Sequence, residues 1–502
     1  SATNINQSSG AAIVVDTGAG LVSGSRYDGV IFEISGGSAS NVLLENGGQL
    51  TVLSGHSAIS TTVSSGGKVI VRGTTTSTVI NSSGREEVYS GGKASNTVIS
   101  SGGSQVIYKG GSAVSATVSS GGFQLVSSGG TATDTVISSG GSQVIYKGGS
   151  AVSAAVSSGG FQLVSSGGTA TDTVISSGGS QVINDGGSAV SAAVSSGGFQ
   201  IVSSGGTATD TVISSGGSQV INDGGSAVSA AVSSGGFQIV LSGGLASATV
   251  ADAGGVVSVA SGGAAIGTVI NSGGSQVINS SGSAVSAAVS SGGFQIVSSG
   301  GTATDTVISS GGSQVINDGG SAVSAAVSSG GFQIVSSGGT ATDTVISSGG
   351  SQVINDGGSA VSAAVSSGGF QLVSSGGTAT DTVISSGGVV SVASGGSATN
   401  INQSSGAAIV VDTGAGLVSG SRYDGVIFEI SGGSASNVIL ENGGQLTVLS
   451  GHSAISTTVS SGGKVIVRGT TTSTVINSSG REEVYSGGKA SNTVISSGGS
   501  QV

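Results

Sequence analysis

The chain repeats one pattern of apolar and polar positions between pairs of glycines. Six residues follow one Gly-Gly pair and nine follow the next, as in GGFQLVSSGGTATDTVISSGG at 121–141. We name these stretches the short arm and the long arm. Side chains of a strand alternate between two faces, so the second and fourth residues of the short arm share a face. The fourth residue is apolar, for example Val126 and Ile145, which predicts that this face points inward.

The second position of the short arm predicts an unusual interior. Leu50, Val69 and Val390 fill it in some units, whereas Gln124 and Gln143 fill it in others. A glutamine that alternates with aliphatic residues at an inward position indicates a ladder of stacked amides near a corner of the fold.

In the long arm, a small residue and a branched residue mark the inward positions. The second residue is alanine, as at Ala132 and Ala151, and the seventh is branched, as at Ile137 and Val156. Polar neighbours of these positions are predicted to face outward: Thr133, Asp134, Ser138 and Ser139.

The spacing of these units predicts the fold. The Gly-Gly pairs step alternately by 8 and 11, and a phenylalanine recurs in every second unit at Phe123, Phe161 and Phe199. Short strands with glycine corners cannot bury a face alone, but stacked units can. We therefore predict an all-β fold, a right-handed parallel β-helix of about 26 coils with about 18 to 19 residues per coil. A helical fold is disfavoured because each glycine in a helix costs about 1 kcal/mol.

A longer repeat lies on top of the short one. Residues 397–502 reproduce residues 1–106 with one change, Leu43 to Ile439. We predict that 1–502 is a single continuous solenoid, that 1–396 is one super-repeat of 21 coils, and that 397–502 begins a second copy.

Composition excludes several classes of protein. The 502 residues include 98 glycines but no proline, cysteine, methionine or tryptophan, which excludes collagen, a disulfide framework and a thiolate site. Disorder fits poorly because 36% of the residues are hydrophobic. No apolar run approaches the roughly 20 residues that span a bilayer, so we predict no membrane insertion by this segment.

Charge is distributed unevenly along the chain. The net charge is −11, and the stretch 148–421 holds 11 aspartates but no lysine or arginine. Such a stretch is a poor partner for nucleic acid. One set of aspartates recurs every second coil within 134–210 and again within 305–381, and it is our candidate self-association surface: Asp134, Asp172, Asp210, Asp305, Asp343 and Asp381. The alternative is that these charges are merely solvated and keep the protein soluble.

No residue pattern predicts catalysis. No long loop is expected to interrupt the repeat and form a cleft. His56 and its copy His452 are predicted to be turn residues that face solvent, and Arg85-Glu86-Glu87 to be a surface ion pair. We predict no enzyme activity, no cofactor and no metal site.

One row of threonines has the pattern of an ice-binding face. Thr131, Thr133 and Thr135 form a TxTxT sequence. The row skips alternate coils and is interrupted by Asp134, so ice binding is disfavoured.

The sequence GGSQVIYKGGSAVSATVSSGG at 102–122 resembles the repeats of self-associating, AIDA-type autotransporter adhesins of Gram-negative bacteria. The resemblance extends over essentially the whole chain and is weaker around GAAIVVDTGAGLVSGSRYDG. It implies a passenger domain displayed outside the outer membrane, with a signal peptide and a translocating barrel elsewhere in the full protein. It also implies a heptosyltransferase partner that modifies serines before Gly-Gly: Ser128, Ser139, Ser158, Ser166 and Ser177.

These observations predict an extracellular adhesin. Its partners would be other copies of itself and the host-cell surface, and its activities would be aggregation, biofilm formation and adherence. Many weak sites on one rigid rod can raise avidity by about 10² to 10⁴. The alternative is an architectural stalk or filament whose binding is done elsewhere.

Overall fold

The computed structural model describes residues 1–496 and 498–502, and all regular structure in them is β-strand. A typical coil contains three strands, Phe161–Val164 in the short arm and Thr169–Thr171 and Val174–Ile175 in the long arm. Coils of this kind repeat about 26 times, so the predicted β-solenoid is confirmed.

The chain divides into two compact units, 1–249 and 250–502. Within each unit, strands of successive coils pair in parallel. Phe161 pairs with Ser142 on one side and with Ser180 on the other, which occupy the same position in the two neighbouring coils. The coil that begins at Lys68 is shorter, since its partner in the next coil is Arg85. Continuity of the solenoid over 1–502 and the super-repeat over 1–396 stay predictions.

The short-arm strands stack into a sheet in each unit. Those of the first unit are Val14–Asp16, Gln49–Val52, Lys68–Val71, Arg85–Val88, Ser104–Ile107, Phe123–Ser127, Ser142–Tyr146, Phe161–Val164, Ser180–Ile183, Phe199–Val202, Ser218–Ile221 and Phe237–Val240. Those of the second unit include Ser275–Ile278, Phe294–Val297, Ser313–Ile316, Phe332–Val335, Ser351–Ile354 and Phe370–Val373. The two long-arm strands of each coil stack in the same way along the other faces.

The core is a thin stack of the predicted inward residues. Val126, Ile145 and Ile137 are fully buried, and Ala132 is 1% exposed. Full burial of a valine or isoleucine side chain stabilises by roughly 1.5 to 3 kcal/mol before entropy is counted, so each coil contributes a similar increment.

The two glycines of a pair serve different purposes. Gly159 has φ +77°, a left-handed conformation that glycine adopts without steric cost. A Cβ on Gly160 would instead overlap the carbonyl oxygen of Ile137 in the preceding coil. The first glycine is therefore required by conformation and the second by close approach of two backbones.

A hairpin excursion interrupts the repeat near 22–40, which corrects the expectation of an uninterrupted repeat. Val22–Arg26 pairs antiparallel with Ile31–Ser35, which pairs antiparallel with Ser38–Ser40. The coil that begins at Val14 consequently returns to the short-arm sheet only at Gln49, its pairing partner. The second unit has the same excursion at 418–436.

Candidate functional site

The predicted aspartate column lies at a corner inside the long arm. All six carboxylates are exposed, and all six residues have φ between 54° and 59°: Asp134, Asp172, Asp210, Asp305, Asp343 and Asp381. In the intervening coils Ser153 and Ser191 take the same position with φ 55°. Short polar residues tolerate this left-handed region better than other residues with a Cβ. The corner therefore explains the residue type, and exposure makes the carboxylates available to a partner.

The predicted modification serines lie at the other corners. Ser128, Ser139, Ser158, Ser166 and Ser177 are all exposed and have φ between 47° and 53°. Each one directly precedes a glycine with positive φ. Their hydroxyls are therefore presented at the edges between sheets.

Sequence reasoning missed a third outward feature, the phenylalanines of the short arm. They occupy its first position, so they lie on the face opposite to the inward second and fourth positions. Phe237 is 45% exposed, and Phe294 and Phe332 are each 37% exposed. Their recurrence in every second coil was a sufficient signal, since period-two alternation from the buried Gln238 and Val240 places Phe237 outside.

Inside the same sheet, the predicted amide ladder is confirmed. Gln162 donates its Nε2 to Gln143 Oε1 at 2.7 Å, and Gln181 donates to Gln162 Oε1 at 2.5 Å. The ladder runs from Gln105 to Gln238 in the first unit, and every side chain in it is fully buried. Each amide donates to the preceding coil, so the amide dipoles all point the same way.

Glu86 ends this ladder, which corrects its predicted place in a surface ion pair. Its side chain is fully buried and accepts hydrogen bonds from Gln105 Nε2 at 2.8 Å and Thr75 Oγ1 at 2.8 Å. Thr78 and Thr97 donate to it as well, at 3.2 and 3.1 Å. Burial raises the pKa of Glu86 above its ordinary value of 4.5, although the four hydrogen bonds act against the rise.

The adjacent Glu87 points outward into a cluster of charged and aromatic residues. Lys68 and Arg85 each form an ion pair with it at 2.8 Å. Partial burial acts to raise the pKa of Glu87, but hydrogen bonds from Lys68 and Tyr89 and the charges of Lys68 and Arg85 lower it overall. The hydrogen bond from Tyr89 to Glu87 in turn raises the pKa of Tyr89 to about 12.

Two tyrosines extend this cluster along the solenoid. The rings of Tyr89 and Tyr108 stack with centroids 4.9 Å apart, and the Arg72 guanidinium lies 5.7 Å from the Tyr89 centroid. Together with Lys109 they line a shallow cleft of about 400 Å³. Tyr89 and Tyr108 are 19 residues apart, so the coil spacing places them in one column.

The sequence profile of the AIDA family, described as "Adhesin of bacterial autotransporter system, probable stalk", matches this chain. The matched residues are 23–84, 89–141, 195–255, 258–312, 292–350 and 419–480. These ranges cover more than half of the chain.

The chain belongs to the AIDA family of autotransporter adhesins.

Known proteins similar to this AIDA chain include a curated relative and a solved structure. The "Probable autotransporter YpjA" of Escherichia coli (strain K12) is 58% identical over 52 residues, which is 10% of this chain and 3% of the relative. A crystal structure of a TibA fragment hyper-glycosylated by TibC is 39% identical, covers 65% of this chain and 99% of the fragment, and has a TM-score of 0.40.

Family membership gives the location of the AIDA chain. It is an extracellular passenger segment, displayed at the bacterial surface or secreted. Among residues 1–496 and 498–502, none forms a helix of the length and apolar character that a membrane crossing requires.

Two further predictions about the AIDA chain need correction. Thr135 is buried, because the left-handed Asp134 turns the next side chain inward and breaks the TxTxT row. His56 is half-buried, with Nδ1 2.9 Å from the hydroxyl of the buried Thr17 and its ring against Gly37.

In the described part of the chain, no group of three or more acidic or histidine side chains is arranged to hold a metal ion.

Proposed function

We propose that this AIDA-family chain is a non-catalytic adhesive segment that associates with other copies of itself and with the host-cell surface. Aggregation of neighbouring bacteria and biofilm formation would follow from homotypic contacts. Host adherence would use the same repeated surfaces against another partner.

One observation carries the proposal: identical outward residues recur at every second coil. Asp172 and Asp210 are exposed at equivalent corners, and Phe161 and Phe199 lie at equivalent positions of one sheet. At a coil spacing of about 4.8 Å, equivalent side chains are roughly 10 Å apart. Many equal and weak contacts then act together, and avidity exceeds the strength of any single contact.

The aspartate column is one candidate contact surface. Its exposure and its regular spacing support this role, and the absence of lysine and arginine from 148–421 keeps it uncompensated within that stretch. Contact between two such columns would need bridging cations or a basic partner, because like charges repel.

The corner serines are candidate acceptors for the heptosyltransferase that the family resemblance implies. Exposure of Ser128, Ser139 and Ser158 supports access by an enzyme. Intact-mass measurement on native material should show added hexose- or heptose-sized increments, and replacement of these serines by alanine should reduce them. An unmodified native mass would contradict the assignment.

A stalk is the second candidate function, and the description of the matched family as a probable stalk favours it. In that case the solenoid would act as a spacer, and an adhesive element elsewhere would do the binding.

The decisive experiment uses the full chain coupled to beads of two colours. Self-association predicts mixed-colour clusters, whereas a pure spacer predicts dispersed beads. Deletion of coil pairs, such as residues 161–198, should reduce clustering in proportion to the coils removed if the solenoid is adhesive. Beads that stay dispersed with the full chain would overturn the self-association proposal.

A further inference from the structure

Part of the outer face of the short-arm sheet is uncharged and carries a continuous row of aliphatic side chains. This face consists of the first and third residues of each short-arm strand, and from the strand that begins at Phe123 to the strand that begins at Phe237 it bears no charged residue. We name it the Phe face. Its central row is aliphatic throughout: Leu125, Val144, Leu163, Val182, Ile201, Val220 and Ile239. All seven are half-buried rather than covered by another element.

Its first row alternates between a large and a small side chain. Strand pairing sets Phe161 between Ser142 and Ser180, and Phe199 between Ser180 and Ser218. The same alternation recurs in the second unit, where Phe332 lies between Ser313 and Ser351. Each serine thus leaves a gap one coil high between two phenylalanine rings.

An open apolar sheet face of this kind is uncommon on a soluble protein. Contiguous exposed apolar surface marks an interaction site. The charged residues of this region lie elsewhere, at turn corners such as Asp172 and Asp185. Charged corners and an uncharged row of aliphatic side chains thus lie on different parts of the surface.

We propose that the Phe face is closed by the Phe face of a second copy of this chain, packed antiparallel, with each phenylalanine seated over a serine of the partner. This inference rests on the proposed self-association and specifies the surface that performs it.

The alternation itself determines the orientation. Phenylalanines two coils apart leave gaps that match the same row displaced by one coil. A two-fold axis parallel to the strands, passing midway between a phenylalanine coil and a serine coil, brings first row against first row and every ring over a gap. Such an isologous contact is self-complementary, and it runs the two solenoids in opposite directions. A two-fold axis along the solenoid would instead reverse the rows and remove the displacement.

The size of the face predicts a weak single contact. Four strand residues span about 13 Å and seven coils about 34 Å, which gives on the order of 450 Å² per copy for the first unit. A stable interface buries about 800 Å² per partner. The contact should therefore be reversible for one pair of units and gain strength through multivalency.

Two opposite sets of substitutions test the inference in the full chain. The gap set replaces by serine the phenylalanines of the Phe face and of the equivalent strands in the second unit, including Phe161→Ser, Phe199→Ser and Phe332→Ser. The filled set replaces the intervening serines by phenylalanine, including Ser180→Phe, Ser218→Phe and Ser351→Phe. Each variant should lose homotypic clustering by tenfold or more, since burial of even one phenylalanine is equivalent to about a tenfold change in affinity. The filled set is more apolar than the natural chain, so its loss would exclude non-specific stickiness.

Mixing the two sets gives the deciding result. Beads with the gap set and beads with the filled set should cluster with each other, because a full row of rings meets a full row of gaps. Filled-set beads that cluster alone as well as the natural chain, or mixed beads that stay dispersed, would overturn the inference.

Circular dichroism should show that both variants keep the β-fold. If a full set unfolds, the single changes Phe199→Ser and Ser180→Phe repeat the test at one coil. Clustering that is lost with Asp172→Asn and Asp210→Asn but not with either phenylalanine set would overturn this inference and leave the proposed function standing. Failure of the natural chain to cluster would overturn both.

Discussion

Two stretches of the short-arm sheet in the first unit share a backbone but differ in chemistry. The coils at 68–109 carry Lys68, Arg72, Arg85 and Glu87 on the outer face, whereas the coils at 123–241 carry the uncharged Phe face. Both pair in parallel through the same register, and both bury the second and fourth residues, as at Glu86 and Val88 or Gln162 and Val164. The corner glycines and the apolar residue at the buried fourth position thus specify the fold of the coil. The residues at the other positions can differ between coils without a change in that fold.

The largest effect should come from the shared backbone. In both stretches, a Cβ on the glycine that precedes the strand would overlap a carbonyl oxygen, that of Val63 for Gly84 and that of Ile137 for Gly160. We expect Gly84→Ala and Gly160→Ala each to lose on the order of 3 kcal/mol or more of local stability, which hydrogen exchange of the flanking coils would measure.

The preceding position gives the matched control. Ser83 already occupies it with φ 68°, so Gly159→Ser should cost only about 1 kcal/mol. Equal costs for Gly159→Ser and Gly160→Ala would contradict the distinction between conformation and close approach. Ala407 occupies the position equivalent to Gly160, directly before a short-arm strand, and so departs from the requirement for glycine there. It lies in the coil that opens the second hairpin excursion.

The next largest loss of stability should come from substitution of Glu86, the buried residue that ends the glutamine ladder. Glu86→Leu would leave the hydroxyls of Thr75, Thr78 and Thr97 without their acceptor and would remove one of the two acceptors of the Gln105 amide. Each unsatisfied buried donor costs about 1 to 3 kcal/mol, so we expect a local loss of about 3 kcal/mol. Glu86→Gln keeps an acceptor oxygen and makes this coil chemically similar to the uncharged stretch, so its loss should be about 1 kcal/mol or less.

The pH dependence of the Glu86→Gln variant sharpens the test. Because the folded pKa of Glu86 lies above 4.5, its contribution to stability is fully present below pH 4.5 and is lost as the pH rises through the folded value. The natural chain should therefore lose stability relative to Glu86→Gln as the pH is raised from about 4 to 8. A difference that is flat with pH, measured by denaturant unfolding and local hydrogen exchange, would contradict a raised pKa.

Much of this architecture could be predicted from the sequence, because inward positions in regular strands follow strict alternation. Gln124, Val126 and Ala132 are buried as predicted. The incorrect predictions concern residues at which the alternation stops, or at which the charge of the side chain was given more weight than the alternation. Asp134 is left-handed and turns Thr135 inward, which no period-two pattern reveals. Glu86 occupies the ladder position by register, but its charge suggested the surface.

The hairpin excursion is a different kind of miss. The stretch around 22–40 departs from the Gly-Gly spacing, so the sequence indicates an irregularity but not its form. Antiparallel pairing of Val22–Arg26 with Ile31–Ser35 arises from contacts between segments that no short repeat encodes.

The Phe face was not predicted for a simpler reason, since the phenylalanines were used only to measure the length of the repeat.

The smallest effect should come from the outer carboxylate of the charged stretch. Glu87→Gln removes the ion pairs of a carboxylate that is 6% exposed with the partly exposed Lys68 and Arg85, and pairs near the surface are worth up to about 1 kcal/mol. Since the folded pKa of Glu87 is lowered, its contribution is present above pH 4.5 and is lost as the pH falls through the folded value. The natural chain should thus exceed Glu87→Gln in stability at neutral pH and match it in acid. Glu86 and Glu87, adjacent in sequence and on opposite faces of one strand, should respond to pH with opposite signs, and a common sign in the two glutamine variants would contradict the assignment of their faces.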